Sequence, residues 1–168
     1  FIDLNKENKH LVLAPRHPER FGEIKELVNK KNLSNILYTE ISSNPDTESD
    51  VTIVDVIGRL LDFYEIADCV FIGGTLVDHG GQNFLEPAFF NKPIISGRST
   101  YNFDEISKKL SDLGLLKFVS NKDEISSVVE NIEPISDSLK KDTNLWLNGS
   151  RGASKFISKK VCKEFNLV

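Results

Sequence analysis

The residue best suited to hold an anion comes directly after an apolar run, where a parallel strand would end. Arg16 follows the run 10–14, in the stretch PRHPER. Its guanidinium is always charged and offers forked donors that suit a phosphate or a carboxylate. The alternative is a surface ion pair between Arg16 and Glu19. These residues alone leave both roles open.

A second candidate is the glycine-rich segment 73–87, GGTLVDHGGQNFLEP. Gly73 and Gly74 end a predicted buried strand. Gly80 and Gly81 allow a positive φ or the close approach of a ligand to the backbone. Two glycine pairs at one strand end favour a ligand-binding loop over a simple turn.

The same segment leads into a predicted helix with an acidic start. Asn83 is a candidate N-cap, and free amides at 82–85 would suit an anion. Glu86, on the first turn, is placed to accept hydrogen bonds from sugar hydroxyls. The alternative is that Glu86 only complements the helix dipole.

Other kinds of site are disfavoured. The chain has no GxxxxGK[ST] motif, and PRHPER lacks the glycines of a dinucleotide-binding turn. His10, His17 and His79 lie in unrelated positions without metal-ligand spacing, so we expect no metal site; His79 remains open as a ligand contact or proton donor. Cys69 and Cys162 form neither a disulfide framework nor a metal motif, which predicts reduced thiols.

Composition narrows the classes of partner and compartment. The 168 residues carry 21 Lys and Arg against 25 Asp and Glu, a formal charge of −4, and form no basic block. We therefore expect no nucleic-acid partner and no polybasic membrane patch. No apolar run is long enough to span a membrane and no signal peptide is visible, which predicts a soluble cytoplasmic chain. Phe at position 1 and the absence of Met suggest a piece of a longer polypeptide.

The elements that would position these residues alternate between strands and helices, as in βα units around a parallel sheet. The predicted strands are 10–14, 36–39, 51–54, 69–72, 93–96 and 116–119. The predicted helices are 18–30, 58–67, 83–90, 102–113, 122–131, 136–147 and 152–165, the last two split at Asn148-Gly149. A polar loop, 42–50, is expected to be mobile.

This pattern predicts an α/β domain with a parallel β-sheet. Residues 1–133 would contain its alternating strands and helices. Residues 134–168 would be C-terminal helices of the same domain, with apolar surface left partly exposed or packed on a second domain. Ligands of open parallel sheets bind at the carboxyl ends of the strands, where four loops of this chain converge.

Five motifs occur in a fixed order along the chain. They are PRHPER at 15–20, DVIGRL at 55–60, YEIAD at 64–68, GGTLVDHGGQNFLEP at 73–87 and NF at 102–103. Over roughly residues 10–130 this ordered set closely resembles the C-terminal half of the 3-deoxy-D-manno-octulosonic acid (Kdo) transferases of lipopolysaccharide biosynthesis.

The resemblance implies a GT-B glycosyltransferase, in which two Rossmann-like domains face each other across a cleft. This chain would be the half that binds the donor CMP-Kdo, and residues 1–133 would be its Rossmann-like three-layer domain that binds the nucleotide sugar. The acceptor would be a lipid A precursor at the cytoplasmic face of the bacterial inner membrane. The general base and the membrane-associated surface would lie in the N-terminal half, so this chain alone would be inactive.

The resemblance also assigns roles to individual residues. Arg16 would contact the leaving-group phosphate, and Gly58 and its neighbours the nucleotide. Asn83 and Glu86 would face the phosphate or ribose, and Asn102 would form a wall of the site. Preorganised donors on the leaving phosphate would supply much of the catalysis. Because the donor's leaving group is already a good one and the sequence shows no acidic cluster suited to a metal, we expect no metal and no cofactor.

Three positions depart from the family pattern. Arg59 stands where an acidic residue is usual, Val56 stands where Thr or Ser is commoner, and Arg98 follows Gly97 where a proline is common. Arg98 adds a cation that either faces the cleft or points to solvent.

Two alternative functions stay open. The chain could be half of a GT-B nucleotide-sugar 2-epimerase, or a non-catalytic nucleotide-binding module.

Overall fold

The computed structural model describes residues 9–149 together with Lys160, Cys162 and Glu164, and its architecture is α/β. The strands are β1 (Leu11–Leu13), β2 (Asn35–Leu37), β3 (Val51–Ile53), β4 (Val70–Ile72), β5 (Ile94–Ser96) and β6 (Leu116–Phe118). The α-helices are α1 (Phe21–Lys30), α2 (Leu60–Ile66), α3 (Leu85–Phe89), α4 (Asp104–Leu113), α5 (Lys122–Glu130) and α6 (Asp137–Gly149). The alternation predicted from the sequence is confirmed.

The strands form two parallel three-stranded sheets, ordered β1-β3-β2 and β4-β5-β6. Thr52 lies opposite Val12 and Ile36 in the first sheet, and Ile95 lies opposite Phe71 and Lys117 in the second. The predicted parallel pairing is confirmed, but β1 and β4 belong to separate hydrogen-bonded ladders. In each sheet the loops after the strands emerge at the same edge.

Each sheet has its own hydrophobic core. In the first, α1 places Val28 against Val51 and Ile53, while partly buried Ile24 packs on the same cluster. The helical spacing of Phe21, Ile24, Leu27 and Val28 predicts α1 and a face packed on the sheet. That face is only partly correct, because Leu27 is 57% exposed. The second core is larger and consists of Ile72, Phe84, Ala88, Ile94, Leu110, Leu115 and Leu116.

Helix α6 packs on the second core. Leu139, Trp146 and Leu147 are partly buried against it, whereas Leu145 is 72% exposed. Part of the apolar surface is thus exposed as expected, while Trp146 contacts this domain. Phe156 and the predicted helix 152–165 lie outside the residues that the structure describes as a continuous segment.

Three local predictions need correction. The polar segment 42–50 does not start as a loop, because a 3-10 helix, Tyr38–Ser43, extends into it. Helix α6 includes Asn148 and Gly149 instead of ending before them. Strand β4 is only partly buried, since Phe71 is 40% exposed. None of the helices in the described part of the chain could cross a membrane.

Candidate functional site

Arg16 lies in the loop after β1 and contacts the loop after β4. Its Nη1 donates to Gln82 Oε1 at 3.3 Å, and the hydrogen bond is exposed. The alternative pairing with Glu19 is not formed, because Glu19 Oε1 lies 3.4 Å from His17 Nδ1 instead. Within the described ranges no carboxylate lies at ion-pair distance from Arg16. Its charge is available to an anionic ligand.

Asn83 and Glu86 form one hydrogen-bonded unit at the start of α3. Asn83 Nδ2 donates to Glu86 Oε1 at 3.0 Å, and Asn83 Oδ1 accepts from the Leu85 amide at 2.9 Å. The N-cap residue is Phe84, so the prediction of Asn83 as the N-cap is wrong by one residue. Phe84 has helical dihedral angles, and the Asn83 side chain reaches over it.

The hydrogen bond from the Leu85 amide to Asn83 reduces the number of backbone amides that could bind an anion at the start of α3. The Leu85 amide is already paired and cannot contribute to the predicted row of free amides. Glu86 does lie on the first turn of α3, half-buried, with one carboxylate oxygen fixed by Asn83. An oriented carboxylate of this kind can accept hydrogen bonds from ligand hydroxyls at low entropic cost.

Gly80 and Gly81 are required by the packing of the protein itself. Both have positive φ, 72° and 76°, in the left-handed region that favours glycine. A Cβ on Gly80 would overlap the side chains of Asn102 and Tyr101, and one on Gly81 would lie 2.9 Å from Thr75 Cγ2. The close approach predicted for a ligand is made here by neighbouring side chains.

The remaining glycines predicted to bind a ligand also lie in loops that follow strands. Gly73 and Gly74 directly follow β4, and Gly58 lies in the exposed loop after β3. Their positions agree with a ligand-binding edge, although their contacts with a nucleotide stay a prediction.

Thr75 connects the loops after β4 and β5, and sequence reasoning did not identify it. Its hydroxyl donates to Ile72 O and accepts from the Gly97 amide, each at 2.7 Å. Its carbonyl accepts from the Ser99 amide at 3.0 Å. The small β-branched residue directly after Gly73-Gly74 was the only sequence signal for this buried support.

Asn102 also supports the loop after β4. Asn102 Nδ2 lies 3.4 Å from the carbonyl oxygen of His79, and Ser99 Oγ lies 3.1 Å from the Gly80 amide, which donates to it. His79 itself is exposed. The structure therefore places Asn102 as an anchor of the segment that carries the glycine pair.

The loops after β2 and β3 are fixed to each other. Asp55 accepts hydrogen bonds from both the amide and the hydroxyl of Thr39, at 3.1 and 2.6 Å. Arg59 Nε donates to Tyr38 Oη at 3.2 Å, and its Nη2 pairs with Asp62 Oδ2 at 2.9 Å. These interactions raise the pKa of Arg59. Arg59 is thus engaged with its own loops.

The histidines do not gather at one place. Both ring nitrogens of His10 are used, by Ser49 O at 2.9 Å and Thr52 Oγ1 at 2.8 Å, before β1 begins. In the part of the chain described, no three His, Cys, Asp or Glu side chains cluster as a metal site would require. Chemistry without a metal stays a prediction.

Comparison with known proteins identifies relatives by sequence. No protein-family profile matches the chain. It is 39% identical over 124 residues to the 3-deoxy-D-manno-octulosonic acid transferase of Haemophilus influenzae, covering 73% of this chain and 29% of that protein. The same enzyme of Rickettsia prowazekii is 30% identical over 161 residues, or 93% of this chain and 33% of that protein.

A further relative is a bifunctional glycosyltransferase/methyltransferase of Fusobacterium nucleatum, 32% identical over 170 residues, which covers 99% of this chain and 26% of that protein. The chain therefore spans 26–33% of the length of these curated relatives. The resemblance to Kdo transferases predicted from the motifs is confirmed.

The fold has a solved counterpart. The C-terminal CMP-Kdo binding domain of WaaA from Acinetobacter baumannii superposes with a TM-score of 0.60, covering 74% of this chain and 79% of that one at 24% identity. This match confirms the predicted fold, the Rossmann-like half of a GT-B protein.

Proposed function

We propose that this chain, a relative of the Kdo transferases, is the donor-binding domain of a glycosyltransferase that moves Kdo from CMP-Kdo to a lipid A precursor. One observation carries the proposal: 39% identity over 124 residues to a Kdo transferase. The function of the fold's solved counterpart points the same way, since that domain is described as binding CMP-Kdo.

Arg16 is the proposed contact for the phosphate of the donor. It is exposed, carries a full charge and lies beside Gln82 at the edge where ligands of parallel sheets bind. Cleavage of the donor leaves CMP, whose phosphate gains negative charge as the bond to the sugar breaks. A fixed guanidinium at that position stabilises the departing phosphate more than it stabilises the intact donor.

The Asn83–Glu86 unit is the proposed contact for the ribose. Asn83 fixes one oxygen of the Glu86 carboxylate at 3.0 Å, so that the other oxygen has a defined direction. Ribose hydroxyls are good donors to such a carboxylate. Gly58, Gly73 and Gly74 belong to the loops that surround this edge in the same proposal.

The proposal leaves acceptor binding and the general base to a second domain. The lipid A precursor would be held there, and association with the inner membrane would come through it. Accordingly, the 168 residues bind the donor but do not transfer sugar alone. The transfer itself uses no metal, because Arg16 and backbone donors offset the charge on the leaving phosphate.

Titration calorimetry with the 168-residue chain tests the donor assignment. CMP should bind weakly, because only one wall of the cleft is present, and it should bind more tightly than UMP or AMP. Tighter binding of UMP or AMP than of CMP would overturn the cytidine assignment. Arg16→Ala should weaken the binding of CMP. Arg20→Ala removes a nearby exposed arginine that is paired with Glu23, and it should leave CMP binding unchanged.

A further inference from the structure

A small cavity lies at the carboxyl ends of β4, β5 and β6, beyond the site built around Arg16. Its volume is about 240 Å³, and its polar lining comes mainly from Asp78, Arg98, Ser99 and Ser120. Complete small-molecule sites measure roughly 300–1,000 Å³, so this cavity suits a part of a ligand the size of one sugar.

Arg98 brings an uncommitted cation to this cavity. It is exposed, and none of the described carboxylates lies at ion-pair distance from its guanidinium. Asp78, the acidic residue of the lining, has its Oδ1 within 3.2 Å of the hydroxyl of Ser99, which donates to it. The cavity therefore combines one free positive charge with groups that exchange hydrogen bonds with hydroxyls.

One loop connects this cavity to the proposed phosphate site. The segment after β4 lines the cavity with Asp78 and reaches Arg16 through Gln82, four residues further along. Ser99, from the loop after β5, accepts from the Gly80 amide between them. Arg16 and Arg98, which have no ion-pair partner among the described residues, thus lie near opposite ends of the segment after β4.

We propose that this cavity receives the sugar of the donor and that Arg98 binds the carboxylate of that sugar acid. The inference rests on the proposed function, because it takes the donor to be CMP-Kdo. That donor has two anionic groups, a phosphate and the carboxylate of the octulosonic acid. Arg16 and Arg98, from the loops after β1 and β5, would each bind one of them. Asp78 and the two serines are suited to the sugar hydroxyls.

Paired titrations of CMP and CMP-Kdo test the inference. The wild-type 168-residue chain should bind CMP-Kdo more tightly than CMP. Arg98→Gln should lower the affinity for CMP-Kdo on the order of tenfold, which is the range of one charge-assisted hydrogen bond. The affinity for CMP should change by no more than about twofold. Arg98→Lys should retain part of the preference, because the charge remains. Lys108→Gln, which removes one exposed charge from α4, should change neither affinity.

The possible results distinguish a failure of the role proposed for Arg98 from a failure of the proposed donor-binding function. If the wild-type chain binds neither nucleotide, the proposed function fails and the inference fails with it. If CMP binds but Arg98→Gln weakens both compounds equally, Arg98 acts on the nucleotide and only the inference is overturned. An Arg98→Gln chain with unchanged affinity for CMP-Kdo would also overturn it. Melting temperatures should stay equal, because Arg98 is exposed.

Discussion

Gln82 Oε1 accepts a hydrogen bond from Arg16 Nη1 at 3.3 Å, across 66 positions of sequence. The bond joins the loop after β1, in one sheet, to the loop after β4, in the other. Because both side chains are exposed, a ligand can reach the guanidinium from the solvent side. The hydrogen bond thus brings the proposed phosphate contact next to the glycine-rich segment 73–87.

Arg16→Ala should impair sugar transfer severely in a polypeptide that carries both domains. Loss of a charged donor from a developing phosphate charge raises the barrier by about 2–4 kcal/mol. Folding should be nearly unchanged, since Arg16 is exposed. Steady-state kinetics and thermal melting measure the two effects. Arg20→Ala is the matched control, and activity within a few-fold of wild type for Arg16→Ala would assign Arg16 to the surface.

Glu86→Gln should weaken CMP binding with little change in melting temperature. The substitution keeps the shape and the hydrogen bond with Asn83 but removes the charge that strengthens bonds from ribose hydroxyls. Calorimetry and thermal melting together give the answer. Glu105→Gln, on the first turn of α4, is the control for a pure dipole effect. A lower melting temperature with unchanged CMP affinity would mean that Glu86 serves only the helix.

Local sequence patterns were sufficient for the elements and for the edge where the site lies. Short apolar runs predicted all six strands, and the spacing of Phe21, Ile24, Leu27 and Val28 predicted α1. The buried face was predicted correctly for Val28 and wrongly for Leu27, which is 57% exposed. Arg16 and Glu86 were found because residues after parallel strands share one edge. The strands, the helix and the site edge could be predicted because they depend on the spacing of apolar residues and on which residues follow each strand. Both can be read from a single sequence.

Partners far apart in the chain could not be predicted. The contact of Arg16 with Gln82 and that of Arg59 with Tyr38 depend on how distant loops meet. The offset of Asn83 from the N-cap depends on the helical dihedral angles of Phe84, a single-residue detail. Likewise, strand patterns predict parallel pairing but not which strands share a ladder, so the separation of β1 from β4 was missed.

Gly80→Ala should destabilise the domain by about 1–2 kcal/mol or more. A left-handed φ of 72° is unfavourable for alanine, and the new Cβ would overlap Asn102 and Tyr101. Urea unfolding followed by circular dichroism measures the change. Gly22→Ala, in α1 with open space around it, should stabilise by up to about 1 kcal/mol. Equal stability of the two variants would contradict the packing role assigned to Gly80.

Tyr64 should make the domain lose stability at alkaline pH. Burial, with a smaller contribution from the Glu86 carboxylate, raises the pKa of Tyr64 from 10.0 to about 12. The unfolded chain therefore releases this proton near pH 10, while the folded chain keeps it until about pH 12. The stabilising contribution is complete below pH 10 and is lost as the pH rises toward 12, by roughly 1 kcal/mol per pH unit.

Urea unfolding at pH 9, 10 and 11 measures this dependence. Lysines also titrate in this range, so the informative quantity is the difference between wild type and Tyr64→Phe. That difference should shift in favour of Tyr64→Phe as the pH rises, because phenylalanine has no proton to lose. Tyr101→Phe removes a phenol that is 57% exposed and should follow the wild type. A constant difference between wild type and Tyr64→Phe from pH 9 to 11 would show that Tyr64 ionises as freely in the folded domain as in the unfolded chain.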